Sequence, residues 1–126
     1  MSMRGVVIPA EFARPCRVIE WEKEDDLLGL LYREIDCRMV EAFTLLPDGT
    51  TVWVDEDGNY ADNPVENVRA WALAAVAGLH LAGPLMGTAV LTGGPDEDGN
   101  ATSLSDRLVS TSFHVIMKTV GGPGLV

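Results

Sequence analysis

Apolar positions fall in short blocks with strand character through the first half of the chain and recur at helical spacing in two places. Residues 4–9 (RGVVIP) and 16–21 (CRVIEW) predict two strands, able to pair as a hairpin or to flank other strands of one sheet. Residues 22–35 predict a helix. Leu27, Leu28, Leu31, Tyr32 and Ile35 form its inner face, and Glu22, Glu24, Asp25 and Asp26 crowd its first turn, where the dipole favours negative charge. Over residues 37–46 both alternate rows are largely apolar, which predicts a strand covered on both sides for part of its length. Pro47, Asp48 and Gly49 break that run, and TVWV at 51–54 resumes it, so the pair reads as a hairpin.

A second helix is expected to open at Asn63, whose side-chain oxygen can accept a first-turn amide, with Pro64 at the first helical position and Glu66 closing a capping box. Val68, Trp71, Ala72, Ala75 and Val76 form its apolar stripe, and Gly78 is a suitable stop. Gly83-Pro84 marks an irregular passage, TAVLT at 88–92 a short strand, and 93–103 a polar loop. Ser103 or Ser105 can cap a short helix through Val109; residues 113–117 read equally as a last strand or as more helix. The chain is expected to be a single α+β domain over 1–120, with a flexible tail at 121–126. A mainly antiparallel sheet carries about two helices on one side.

Composition supports a folded globule, since 47% of the 126 residues are hydrophobic and 22% charged. No apolar run approaches the ~18 residues of a membrane span, and the opening MSMRGVVIPAEF lacks a convincing cleavage site. A cytoplasmic protein with no membrane partner is therefore expected. The net charge of −10 is uneven, with fourteen acidic and six basic residues in 1–62 against five and three in 63–126. This field counts against nucleic acid, whose binding rests on Lys and Arg, and suits a basic protein partner.

Chemistry-bearing residues are sparse. Cys16 and Cys37 are too few for a disulfide framework and read as buried thiols, and nothing in the spacing brings His80 or His114 to either. Zinc is not expected, nor any cofactor, and no phosphate loop, dinucleotide fingerprint, HExxH or nucleophile elbow occurs. The pentapeptide DEDGN occurs twice, at 55–59 and 96–100. As a calcium loop the first copy fails at Tyr60, where Gly is needed, and the second places Arg107 where a carboxylate is needed, so both read as acidic turns. Trp21, Trp53 and Trp71 lie in apolar-patterned elements and read as core.

The run VWVDEDGNYADNPVENVRAWAL, followed by GPLMGTAVLTG, resembles a small domain-of-unknown-function family, number 3846, over about residues 40–93. The resemblance implies a β-run at 52–54, an acidic-Gly turn at 55–58, Asn63 or Asn67 opening a helix with an Ala-rich body, and Gly87 before a hydrophobic strand. It also implies an accessory role in bacteria, phages and plasmids, and supplies no catalytic residues. The expectation is a non-enzymatic acidic module that binds a host or phage protein, one version being a DNA mimic. The alternative is a small-ligand binding or sequestering protein, as a monomer or a homo-oligomer. Its site would draw on Asp55, Asp57, Asn59, Asn63 and Asn67, with the Gly-rich passage at 83–87 beside them.

Overall fold

The computed structural model describes residues 2–11, 13–57, 65–79, 81, 83–107 and 109–110. Seven elements run β1 (Ser2–Ile8), β2 (Arg17–Glu22), α1 (Leu27–Ile35), β3 (Val40–Thr44), β4 (Thr51–Asp55), α2 (Val68–Val76) and β5 (Ala89–Thr92). The five strands form one sheet in the order β2-β1-β5-β4-β3, and every neighbouring pair is antiparallel. This is a small α+β fold, as the hydrophobic pattern predicts.

The expected hairpin over 37–54 forms, and of the two arrangements open to the first two strands the hairpin is the one adopted. β1 and β2 pair from Ser2↔Glu22 to Val7↔Arg17, and β3 and β4 from Val40↔Asp55 to Thr44↔Thr51. At the second turn Asp48 Oδ1 accepts from both the amide and the hydroxyl of Thr50, which holds the Asp48 carboxyl below its usual range. Gly49 supplies the positive φ of 98°. It also lies so close to Gly94 that a Cβ on Gly94 would meet Gly49 Cα at 2.8 Å. Two glycines therefore let the hairpin tip pack against the end of β5.

The doubly covered strands are β1 and β5. Val6, Val7 and Ile8 are buried, as is every residue of β5. The strand expected to be covered on both sides, β3, is instead a sheet edge with Glu41, Ala42 and Thr44 exposed. Its apolar rows are short of neighbours because β5 inserts between β1 and β4, leaving β3 outermost.

The two helices lie on opposite faces, not on one side as expected. Alternate residues of the central strands enter two different cores. Val6, Ile8, Val52, Val54, Ala89 and Leu91 pack with Ala70 and Leu73 of α2 and with Leu104. Val7, Val90, Ile19 and Trp21 pack with Leu31 and Ile35 of α1. The period-2 alternation of a strand requires a cover for each row when both are apolar, and each helix supplies one.

Both helices start later than the sequence predicts. The acidic stretch 22–25 is a turn, and α1 begins after Asp26, whose side chain accepts from the Gly29 amide at 3.1 Å. Leu31 and Ile35 are buried as expected, whereas Leu28 is exposed. α2 begins after Asn67, not after Asn63, and the capping-box partner Glu66 instead forms an isolated bridge with Met86. Its inner face is Arg69, Ala70, Leu73 and Ala74, while Val68, Trp71, Ala75 and Val76 of the expected stripe are exposed. Gly78 follows the helix end with φ 92°. Near the C-terminal side, Leu104 is buried and its amide donates to Arg4 O at 2.7 Å; Val109 then donates to Ser105 O, as a helical turn opened at Ser105 requires. Residues 113–117 and the tail at 121–126 lie outside the described residues.

Candidate functional site

The five expected ligand-site residues separate in the fold. Asn59 and Asn63 lie outside the described residues. Asp55 ends β4 and Asp57 lies in the turn that follows, where the Asp57 amide donates to Asp55 Oδ1 at 2.9 Å and the Glu56 amide to Met39 O at 3.0 Å. Asn67 is fully buried, and its polar groups are engaged inside the protein. Its side-chain nitrogen donates to Ile8 O at 2.8 Å and Gly87 O at 2.9 Å, its side-chain oxygen accepts from the Ala70 amide at 3.0 Å, and its own amide donates to Leu85 O at 2.7 Å. One asparagine thus ties the end of β1, the passage before β5 and the start of α2 together.

Arg69 extends this tie. It is buried, and its guanidinium donates to Pro9 O at 2.6 Å and Glu11 O at 3.0 Å. Its charge also reaches Cys16, whose thiol is pushed up by burial and partly drawn back by Arg69. The charges that act on Cys37 are negative instead. Burial, followed by the negative charges of Asp55 and Asp36, pushes its thiol to about 11. Both cysteines are free of disulfides, and a thiol raised in this way is a poor nucleophile at neutral pH.

The described residues of the two DEDGN copies share one bond. In each, the first aspartate accepts the amide two residues on, Asp57 to Asp55 and Asp98 to Asp96, both at 2.9 Å. In the second copy Asn100 also donates to Asp96 Oδ1, Gly99 takes φ 84°, and Pro95 bridges Ala101. These are the acidic turns the sequence predicts. Among the described residues no group of three or more His, Cys, Asp or Glu is placed to hold a metal ion.

Each copy borders a cavity. The first, of about 320 Å³, lies by the β3 edge and brings Asp55, Glu41 and Glu56 to the 83–86 passage, with Phe43, Val54 and Leu81 beside them. The second, of about 330 Å³, lies on the α1 face between the turn before α1 and the 95–101 turn. Trp21, Trp53 and Met3 line it together with Asp25, Asp26, Asp96, Asn100 and Lys23. The tryptophans read as core residues from sequence. Trp21 is indeed buried, but both border this opening, and only the sheet register carries the second DEDGN copy to them.

A family model matches residues 3–117 of the 126. The chain belongs to the family Domain of unknown function (DUF3846). The DUF3846 match takes in β5 and all of β1 but Ser2, as well as the central segment that first carries the resemblance. Asn67 is the asparagine that opens the helix in this DUF3846 chain. No curated protein and no solved structure matches the chain. Among the described residues no helix is long and apolar enough to cross a membrane.

Proposed function

We propose that this chain is a non-enzymatic, cytoplasmic accessory module of a phage or other mobile element that binds a host or phage protein through a basic surface on that partner. The observation that carries this reading is the disposition of its carboxylates. Of the eighteen described acidic residues, only Glu34, Asp55 and Asp96 are partly covered and the rest are exposed. The ion pairs between described residues join Arg4 to Asp106, Arg14 to Glu11 and Arg17 to Glu34, which leaves most of the acidic surface unneutralised by them. Several of these carboxylates are also held in place. Asp25 accepts from the Glu22 amide, Asp26 from Gly29, Asp55 from Asp57 and Asp96 from Asp98. Carboxylates fixed by backbone amides present a negative field of defined shape, which steers and orients a basic partner more than it adds raw affinity.

The test is the salt dependence of a complex with the partner captured from the host. Affinity is expected to fall by an order of magnitude or more between about 0.05 and 0.3 M salt, as the Debye length contracts. An affinity indifferent to salt over that range would sink the reading.

A second reading, a small-ligand binder, is favoured by one observation. The cavity at the β3 edge joins Asp55 to the 83–86 passage, the two stretches the sequence pairs for that role. Native mass spectrometry of protein purified gently from its host distinguishes the two. Retained mass on the folded species supports the ligand, and a bare chain mass removes a tightly held one.

A further inference from the structure

We infer that the cavity on the α1 face is the seat of an arginine side chain of the basic partner. The inference rests on the protein-binding reading above and assigns it a place. One wall is the partly exposed indole of Trp53, and the buried indole of Trp21 backs it; each ring is fixed. Trp21 lies against Gly5, where a Cβ would stand 3.2 Å from the ring and 2.6 Å from Leu91 O, so only glycine leaves the ring its position. Trp53 donates its indole N–H to Thr92 Oγ1 at 3.0 Å, and Thr92 is itself buried. Met3 and Leu27 add apolar lining. Above these, Asp25, Asp26 and Asp96 stand at the rim, with Lys23 as the opposing charge. Each of the three carboxylates spends one oxygen on a backbone amide, which fixes where the other oxygen sits.

An aromatic wall attracts a cation through its negative π-face, and a carboxylate rim neutralises it. A planar guanidinium satisfies both surfaces at once, stacking on indole while its edge donates to a carboxylate, whereas an ammonium is a more strongly hydrated point charge. The volume is at the small end of ligand sites, about 300–1,000 Å³, and suits one side chain better than a folded element.

The test uses the full chain carrying Trp71→Phe, which removes the exposed indole of α2 and leaves Trp21 and Trp53 as the fluorescent reporters. A hexa-arginine peptide is titrated by calorimetry and by tryptophan emission, beside hexa-lysine and hexa-citrulline. Hexa-arginine is expected to bind, to shift the emission, and to bind more tightly than hexa-lysine; hexa-citrulline is expected to be silent. The pair Asp25→Asn and Asp96→Asn, which keeps both turn acceptors, is expected to weaken hexa-arginine about tenfold. The pair Glu11→Gln and Glu66→Gln removes the same charge elsewhere and is expected to change affinity by about twofold or less. Lys23→Gln is expected to strengthen binding. Binding without an emission change, or with equal loss in both double variants, overturns the seat while the protein-binding reading stands. Saturation by acetyl-arginine amide as tight as by the peptide makes this a small-molecule site and overturns the partner assignment. No binding of any basic peptide at low salt removes both.

Discussion

The two helices cover the same sheet from opposite sides but choose their buried faces by different rules. α1 follows its hydrophobic pattern. It opens on an exposed cap, Asp26, and buries Leu31 and Ile35 against Val7, Val90 and Trp21. α2 does not follow its pattern. It buries Arg69 with three small or aliphatic residues and exposes Val68, Trp71 and Val76, the last 62% exposed. The difference lies at the first residue. The Asp26 side chain makes one exposed capping bond, whereas the Asn67 side chain makes three, to Ile8, Gly87 and Ala70, and its buried amide donates to Leu85. Those bonds fix the rotation of α2 about its axis. Unpaired buried carbonyls cost more than a few exposed aliphatic side chains recover, so the polar tie outweighs the apolar stripe.

The sharpest way to break this comparison is to remove both caps. Asn67→Ala strands a buried carbonyl, a part-buried carbonyl and a buried amide, and is expected to destabilise by about 3–5 kcal/mol, read from the urea midpoint. Asp26→Ala removes one exposed cap and is expected to cost about 1 kcal/mol. Equal costs would mean that Asn67 is an ordinary N-cap and that something else sets the face of α2.

The exposed stripe gives a smaller effect. Trp71→Gln is expected to change stability by no more than about 0.5 kcal/mol, because the indole is 39% exposed and lies on the outer face. A loss of several kcal/mol would show that this stripe is covered within the folded chain.

The thiols offer the finest probe of the two faces. Cys16 packs beside the α2 core with the Arg69 charge near it, and Cys37 follows α1 with Asp55 and Asp36 near it. Iodoacetamide at about pH 8.5, followed by peptide mapping, is expected to modify Cys16 faster than Cys37, since the thiolate is the reactive form. Stability follows the same sign. Cys37 has a folded value of about 11 against 9.0 for a free thiol. Below pH 9 it is neutral in both states, and between 9 and 11 the unfolded chain loses the proton first. Its contribution to stability is therefore lost as pH rises through that window.

Some of this was legible in the residues. Short apolar blocks at 4–9, 16–21, 51–54 and 88–92 each became a strand, because a β-rich run bounded by turn residues reports a strand wherever it lies within the sheet. Pro47-Asp48-Gly49 became a turn because Gly49 needs a positive φ there. The DEDGN copies became turns because aspartate accepts its own downstream amides. The candidate site was legible only in fragments. Asp55 and the 83–86 passage do meet, but Asn67 turned inward, and Trp21 and Trp53 read as ordinary core.

Local sequence by itself determined the α+β class, the antiparallel hairpins and the acidic surface, since each follows from contacts a few residues apart or from exposed charge. Tertiary structure decided the rest. β5 entered between β1 and β4, pushed β3 to the edge and gave the central strands two buried rows, which drew the helices to opposite faces. The same insertion placed Gly87 and Ile8 beside Asn67, and so chose the start of α2 and the face it buries. The strand order also set the 95–101 turn over the tryptophans. These outcomes depend on pairings between residues tens of positions apart, whose hydrogen bonds exist only after the sheet has formed.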